Sequence, residues 1–123
     1  MTRRILVVDD QEDNRRILRD LLTASGFEVI EGKTGEEGVA LAEEHGPDLI
    51  LMDIQLPGID GYEATRQIKA KPALSAIPLI VVTSYALSGD EAKAFAAGAD
   101  GYVSKPFSPR ALLAKVRGFL GPP

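Results

Sequence analysis

Five short apolar runs, each followed by a stretch with helical patterning, restrict this chain more than any other feature. Ile5-Leu6-Val7-Val8, Phe27-Glu28-Val29-Ile30, Leu49-Ile50-Leu51-Met52, Leu79-Ile80-Val81-Val82 and Gly101-Tyr102-Val103 recur along 123 residues. Three of them are almost wholly apolar, the pattern of parallel strands covered on both faces. Strict alternation of strand and helix predicts an α/β protein with a central parallel sheet and right-handed crossovers. For five βα units, (βα)5, the usual strand order is 2-1-3-4-5.

The helices between the runs have legible ends. Ile17, Leu18, Leu21 and Leu22 form one apolar stripe, stopped by Gly26. Thr34-Gly35-Glu36-Glu37 is a capping box that opens a second helix ending near Gly46-Pro47. Asp60 caps a third helix, which should end before Pro72. Ser88-Gly89-Asp90-Glu91 starts a fourth, with Ala92, Phe95 and Ala96 expected inward and Gly98 closing it. Ser108-Pro109 gives a fifth helix an N-cap and a first-position proline, and Leu112, Leu113, Val116, Phe119 and Leu120 are expected to be buried.

Composition closes off several function classes. Hydrophobic residues are 45% and charged residues 26% of the chain, ordinary for a globular domain of one unit over residues 1–123. Without cysteine, disulfides and thiolate metal sites are excluded. The net charge of −4, with acids and bases interleaved, lacks the basic face that nucleic-acid binding requires. No apolar run approaches the ~20 residues of a membrane span, and Asp9-Asp10 interrupts the N-terminal run too early for a signal peptide. A cytoplasmic location, with no nucleic-acid or membrane partner, is the expectation.

In open parallel sheets ligands sit at the carboxyl ends of the strands. There the sequence supplies Asp9-Asp10 after strand one, Asp53 after strand three, Thr83-Ser84 after strand four and Ser104-Lys105-Pro106 after strand five. Taken singly, each such polar residue reads as the start of a loop. Taken together they form a chemistry. Three carboxylates at one edge raise one another's pKa unless a cation sits among them. An all-oxygen donor set without His or Cys selects a hard cation, and Mg²⁺ fits best because it needs few carboxylates and keeps waters. Lys105 offers a charge and Thr83 a hydroxyl to a phosphoryl oxygen, and a carboxylate is a competent nucleophile toward phosphorus.

These segments resemble the response-regulator receiver domains of two-component signalling, in particular the stand-alone chemotaxis and cell-cycle regulators. The likeness rests on Ile5-Leu6-Val7-Val8-Asp9-Asp10, Leu51-Met52-Asp53-Ile54-Gln55-Leu56-Pro57-Gly58-Ile59-Asp60-Gly61, Val81-Val82-Thr83-Ser84 and Gly101-Tyr102-Val103-Ser104-Lys105-Pro106-Phe107. It implies a flavodoxin-like fold with Asp53 as phosphoacceptor. Asp10, Asp53 and the main-chain carbonyl of Gln55 would bind Mg²⁺, and Asp9 would act mainly through a metal-bound water. Lys105 would pair with Asp53 at rest and with phosphate afterwards, across a Lys105-Pro106 cis bond. Thr83 would move toward the phosphate and Tyr102 would rotate inward behind it. Gln55 and Tyr85 would line the water route that governs phosphate lifetime. His45, at a helix end, reads as a favourable charge at the helix C-terminus.

The resemblance further implies a sensor histidine kinase or histidine phosphotransferase as donor. A downstream protein would be contacted by helix four, strand five and helix five, a face that also allows a homodimer. With about one turn after Leu120, no output domain is expected. A role as a phosphorelay intermediate is the alternative output. An aspartyl-nucleophile phosphohydrolase would want a second Asp where Gln55 stands, and an FMN-binding turn would want Ser, Thr and Gly where Asp9-Asp10-Gln11-Glu12 stands. A docking module that works without phosphorylation would leave the complete acceptor set unused.

Overall fold

The structure, a computed structural model, describes residues 2–83 and 89–121. Five strands, β1 (Arg4–Val8), β2 (Glu28–Gly32), β3 (Leu49–Met52), β4 (Leu79–Thr83) and β5 (Gly101–Ser104), alternate with five helices. The helices are α1 (Glu12–Ala24), α2 (Gly35–His45), α3 (Gly61–Lys69), α4 (Asp90–Ala96) and α5 (Pro109–Leu120). The strands form one parallel sheet in the order β2-β1-β3-β4-β5, which is the flavodoxin-like arrangement.

Period-two alternation divides the apolar strand residues between two cores. Leu6, Val8, Ile50, Met52, Leu79 and Val81 pack on one face against Val39, Ala42, Ala64, Ile68 and Ala94 of α2, α3 and α4. Ile5, Val7, Leu49, Leu51, Ile80 and Val82 pack on the other against Leu18, Leu22, Leu112, Val116 and Leu120 of α1 and α5. Each such fully buried side chain contributes about 1.5–3 kcal/mol of transfer free energy. No helix among the described residues is long and apolar enough to cross a membrane.

Capping chemistry sets the helix starts. The Thr34 hydroxyl accepts from the Glu37 amide, Asp60 from the Glu63 amide at 2.8 Å, and Ser108 from the Ala111 amide. The Glu37 carboxylate reaches back to the amide of Lys33, one residue before the cap. Ser88, expected to open α4, lies outside the described residues, and Gly89 at φ 92° occupies the cap position.

Three expected inward faces differ from those observed. On α4 the buried residues are Asp90 and Ala94, followed by Ala97 at the C-cap, whereas Ala92, Ala96 and Phe95 point outward, Phe95 being 45% exposed. An Ala-rich helix has two stripes of similar hydrophobicity, so its rotation is decided by the sheet it meets. On α1, Ile17 is 55% exposed, because the buried stripe runs through Arg15, Leu18 and Leu22. Phe119 is 39% exposed and lies across the edge of Gly101, where no side chain separates it from β5.

Gly61, the first residue of α3, meets a tight constraint. A Cβ there would lie 2.0 Å from the Asp53 carbonyl oxygen and 2.7 Å from the Ile54 Cα. Both are backbone atoms, so the clash cannot be relieved by a rotamer change. Gly61→Ala should therefore destabilise the protein by about 2–4 kcal/mol in chemical denaturation, the scale of overpacking against rigid backbone. A loss below about 0.5 kcal/mol would show that this loop yields.

Candidate functional site

Hydrogen bonding continues one residue past the ends of β1, β3 and β5, and this fixes the site. The Asp9 amide donates to the Gly32 carbonyl at 3.1 Å, the Asp53 amide to the Val8 carbonyl at 2.9 Å, and the Lys105 amide to the Thr83 carbonyl at 2.6 Å. With Val8 in register with Met52 and Thr83 with Ser104, the polar residues after β1, β3 and β5 emerge along one edge. Thr83 ends β4 between them and is fully buried.

Asp9, Asp10 and Asp53 each present a carboxylate oxygen within 4.8 Å of the others. At that separation two unit charges repel by on the order of 3 kcal/mol for an effective dielectric of about 20. Asp9 is buried and its carboxylate is fully engaged: Oδ1 accepts from the Gln11 amide at 2.9 Å, and Oδ2 accepts from Lys105 Nζ at 3.0 Å. Asp53, 8% exposed, accepts from the Ile54 amide at 2.8 Å. Its pKa is pushed up to about 6, first by burial and then by the Asp9 charge, against the opposing pull of Lys105 and of the Ile54 and Gln55 amides. Asp10 is exposed at the rim. A cluster of hard oxygens whose like charges crowd one another suits a small divalent cation. Gln55 places its main chain beside Asp53 and its side chain in solvent.

The resting partner of Lys105 differs from the expected one. Among the described residues its ammonium pairs with Asp9, not with Asp53. Asp9 is the more deeply buried of the two acids, and the turn after β5 sets the ammonium against its Oδ2 at 3.0 Å. The peptide bond from Lys105 to Pro106 is cis. Tyr102 is half-buried on β5, its hydroxyl pKa raised by burial and by Asp90 and Glu91, and its carbonyl accepts from Lys115. Tyr85 lies outside the described residues. His45 closes α2 at the opposite end of the sheet, where its carbonyl accepts from Arg4.

The response regulator receiver domain family matches residues 5–117. The chain belongs to the response regulator receiver domains. The polar-differentiation response regulator DivK of Brucella ovis is 44% identical over 121 residues, 98% of each chain. The receiver domain of a sensor histidine kinase from Pseudomonas aeruginosa, solved with a magnesium ion in its active-site cleft, superposes with a TM-score of 0.92. That pair shares 34% identity over 99% of this chain and 100% of the other. A CheY-like receiver domain protein from Methanospirillum hungatei superposes at 0.89, with 36% identity over 98% and 94% of the two chains.

Two receiver-domain contacts were not visible in the sequence. The buried guanidinium of Arg15 donates to the Asp9 carbonyl at 2.7 Å. Its only signal is a basic residue three and seven positions from the inward Leu18 and Leu22. Tyr62 of α3 directs its hydroxyl at the Asp90 carboxylate at 3.3 Å, and burial, then that charge, pushes its pKa up to about 12. Separation of 28 residues hides this pairing from any local pattern.

Proposed function

We propose that residues 1–123 act as one phosphoacceptor switch in which Asp53 takes a phosphoryl group from the phosphohistidine of a sensor histidine kinase or phosphotransferase. The observation that carries this reading is the convergence of Asp9, Asp10 and Asp53 beside Lys105 and Thr83 at one sheet edge. Asp10, Asp53 and the Gln55 carbonyl would hold Mg²⁺, with Asp9 acting through a coordinated water. Bound there, Mg²⁺ offsets the charge shared by the carboxylate and the incoming phosphoryl oxygens.

The remaining work falls to the chain. An Asp53 carboxylate oxygen attacks phosphorus while the phosphorus–nitrogen bond of the donor breaks, and the departing imidazole takes a proton from solvent. Ionised Asp53 is the competent form, and opposite charge nearby favours it. Lys105 transfers its charge-assisted bond from Asp9 to a phosphoryl oxygen, and Thr83 supplies a hydroxyl donor. The same residues admit the water that later hydrolyses the acyl phosphate, and Gln55 and Tyr85 set its access. The protein thus promotes its own loading and unloading without turning over a metabolite.

Beside Lys105 a recess of about 470 Å³ opens between α1 and the start of α5, lined by Asn14, Ile17, Leu18, Pro106, Phe107 and Pro109. Exposed Ile17 at its lip supports an apolar helical donor seated within reach of Asp53. On the other flank, Phe95 of α4 and Phe119 of α5 are exposed on either side of β5. That supports a downstream protein, or a second copy of the chain, meeting the α4-β5-α5 face. Thr83 and Tyr102 lead into this face, and charge added at Asp53 shifts the population between its two packings. A cytoplasmic setting belongs to the same reading, and relaying the phosphoryl group onward is the alternative output.

Incubation with acetyl phosphate and Mg²⁺ should add the mass of one phosphoryl group in an intact-mass measurement, and hydroxylamine should remove it. Chelation of Mg²⁺ should suppress the gain. An unchanged mass at saturating donor and Mg²⁺ overturns the reading.

A further inference from the structure

The three carboxylates are not held alike. Asp9 is fixed by the Gln11 amide and Lys105, and Asp53 by the Ile54 amide. Among the described residues the Asp10 carboxylate accepts no hydrogen bond, so its aim is inherited from the backbone that carries it. That backbone begins at the Asp9–Asp10 peptide, whose oxygen is the Asp9 carbonyl. Arg15 holds this oxygen.

The Arg15 side chain is 4% exposed and spans three elements. Nη1 donates to the Asp9 carbonyl at 2.7 Å, Nε to Glu31 of β2 at 3.3 Å, and Nη2 to Glu12 in the first turn of α1. Glu31 is itself clamped by Arg19, whose Nη1 donates to both of its carboxylate oxygens, at 2.8 and 3.0 Å. A planar guanidinium held by two acids has little rotational freedom, so it presents its third face to the Asp9 carbonyl at a fixed angle.

We propose that Arg15 is a positioning residue for the divalent-cation site, holding the Asp9–Asp10 peptide plane so that the Asp10 carboxylate is aimed at the ion. This rests on the reading that Asp10 and Asp53 bind Mg²⁺, with Asp9 acting through a coordinated water. The idea has a signature of sign. Arg15 carries positive charge close to the site, so removing it should tighten cation binding if only its field matters. If it orients a ligand, removing it should weaken binding, as loss of an outer hydrogen bond to a ligand does.

Isothermal titration with Mg²⁺ alone separates the two. Wild-type protein must bind Mg²⁺, and failure there sinks the metal reading itself. Given wild-type binding, Arg15→Met should weaken affinity about tenfold. Arg16→Met also removes a cation from α1, but Arg16 pairs with Asp13 and touches neither Glu31 nor the Asp9 carbonyl, so it should stay within about twofold. Equal or tighter binding by Arg15→Met overturns the proposal, as does equal weakening by both variants. If Arg15→Met does not fold, Arg15→Lys decides. It keeps the charge but cannot grip Glu31 and the Asp9 carbonyl together, so it should still bind more weakly than wild type. Wild-type affinity in that variant overturns the proposal.

Discussion

Asp53→Asn should take up no phosphoryl group from acetyl phosphate or from a phosphorylated kinase, at any Mg²⁺ concentration. The amide lacks the anionic oxygen that attacks phosphorus, and no neighbouring group can replace it. Asp9 is buried with both oxygens occupied, by the Gln11 amide and by Lys105. The Asp10 carboxylate is free of hydrogen bonds among the described residues but sits at the exposed rim, in water. The expected effect is therefore complete loss, not the partial loss that removing a supporting group produces. Lys105→Ala should be the contrast. It keeps the nucleophile and loses one charge-assisted bond to the phosphoryl group, a deficit of about 1.5–3 kcal/mol, so labelling should be slow but measurable. Intact mass against time, on both variants and wild type, makes the comparison. Label on Asp53→Asn that hydroxylamine removes would move the acceptor to another acid.

How much of this site could be read in the sequence depends on how local its determinants are. Asp9, Asp10, Asp53, Thr83 and Lys105 each lie within two residues of the end of an apolar run, and the strand-end rule for parallel sheets is enough to collect them. Alternation and handedness give the parallel sheet, while the order 2-1-3-4-5 comes from the usual arrangement of five βα units and from the family resemblance. What could not be read is where contacts compete. Lys105 has two acids near it, and its choice of Asp9 turns on where the folded strand ends set the ammonium, a property of the assembled site. Arg15 looks like a solvated helix charge until β2 brings Glu31 to it across 16 residues. Phe95 looks like a core residue because aromatics usually are, yet α4 turns its alanines to the sheet. The loss of that expected packing is informative, since it leaves an apolar ring on the face we propose for signalling.

The second large effect concerns stability, and it comes from the same carboxylate. In chelator, Asp53 carries a folded-state pKa of about 6 against an ordinary 3.8, raised chiefly by burial and next by Asp9. A raised acid pKa means that the folded state binds the proton more tightly than the unfolded state does. Below pH 3.8 both states are protonated at Asp53 and the group exerts no differential effect. Between 3.8 and about 6 the unfolded chain ionises first, so stability falls as pH rises, and above about 6 the whole penalty is in force. Two pKa units correspond to about 3 kcal/mol. Asn at this position stays neutral and can still accept from the Ile54 amide. Asp53→Asn should therefore be more stable than wild type by about 3 kcal/mol at pH 7 in chelator, roughly a 10 °C rise in Tm for a domain of this size. The gap should close as pH is lowered to about 4. Saturating Mg²⁺ at pH 7 should also narrow it, because the ion binds folded wild type and pulls its stability upward, while the variant has lost a ligand. Paired thermal melts across pH, with chelator and with Mg²⁺, provide the test. A variant no more stable than wild type at pH 7 in chelator would mean that Asp53 is not under electrostatic strain in the resting protein, and the case for a cation among these acids would lose its energetic footing.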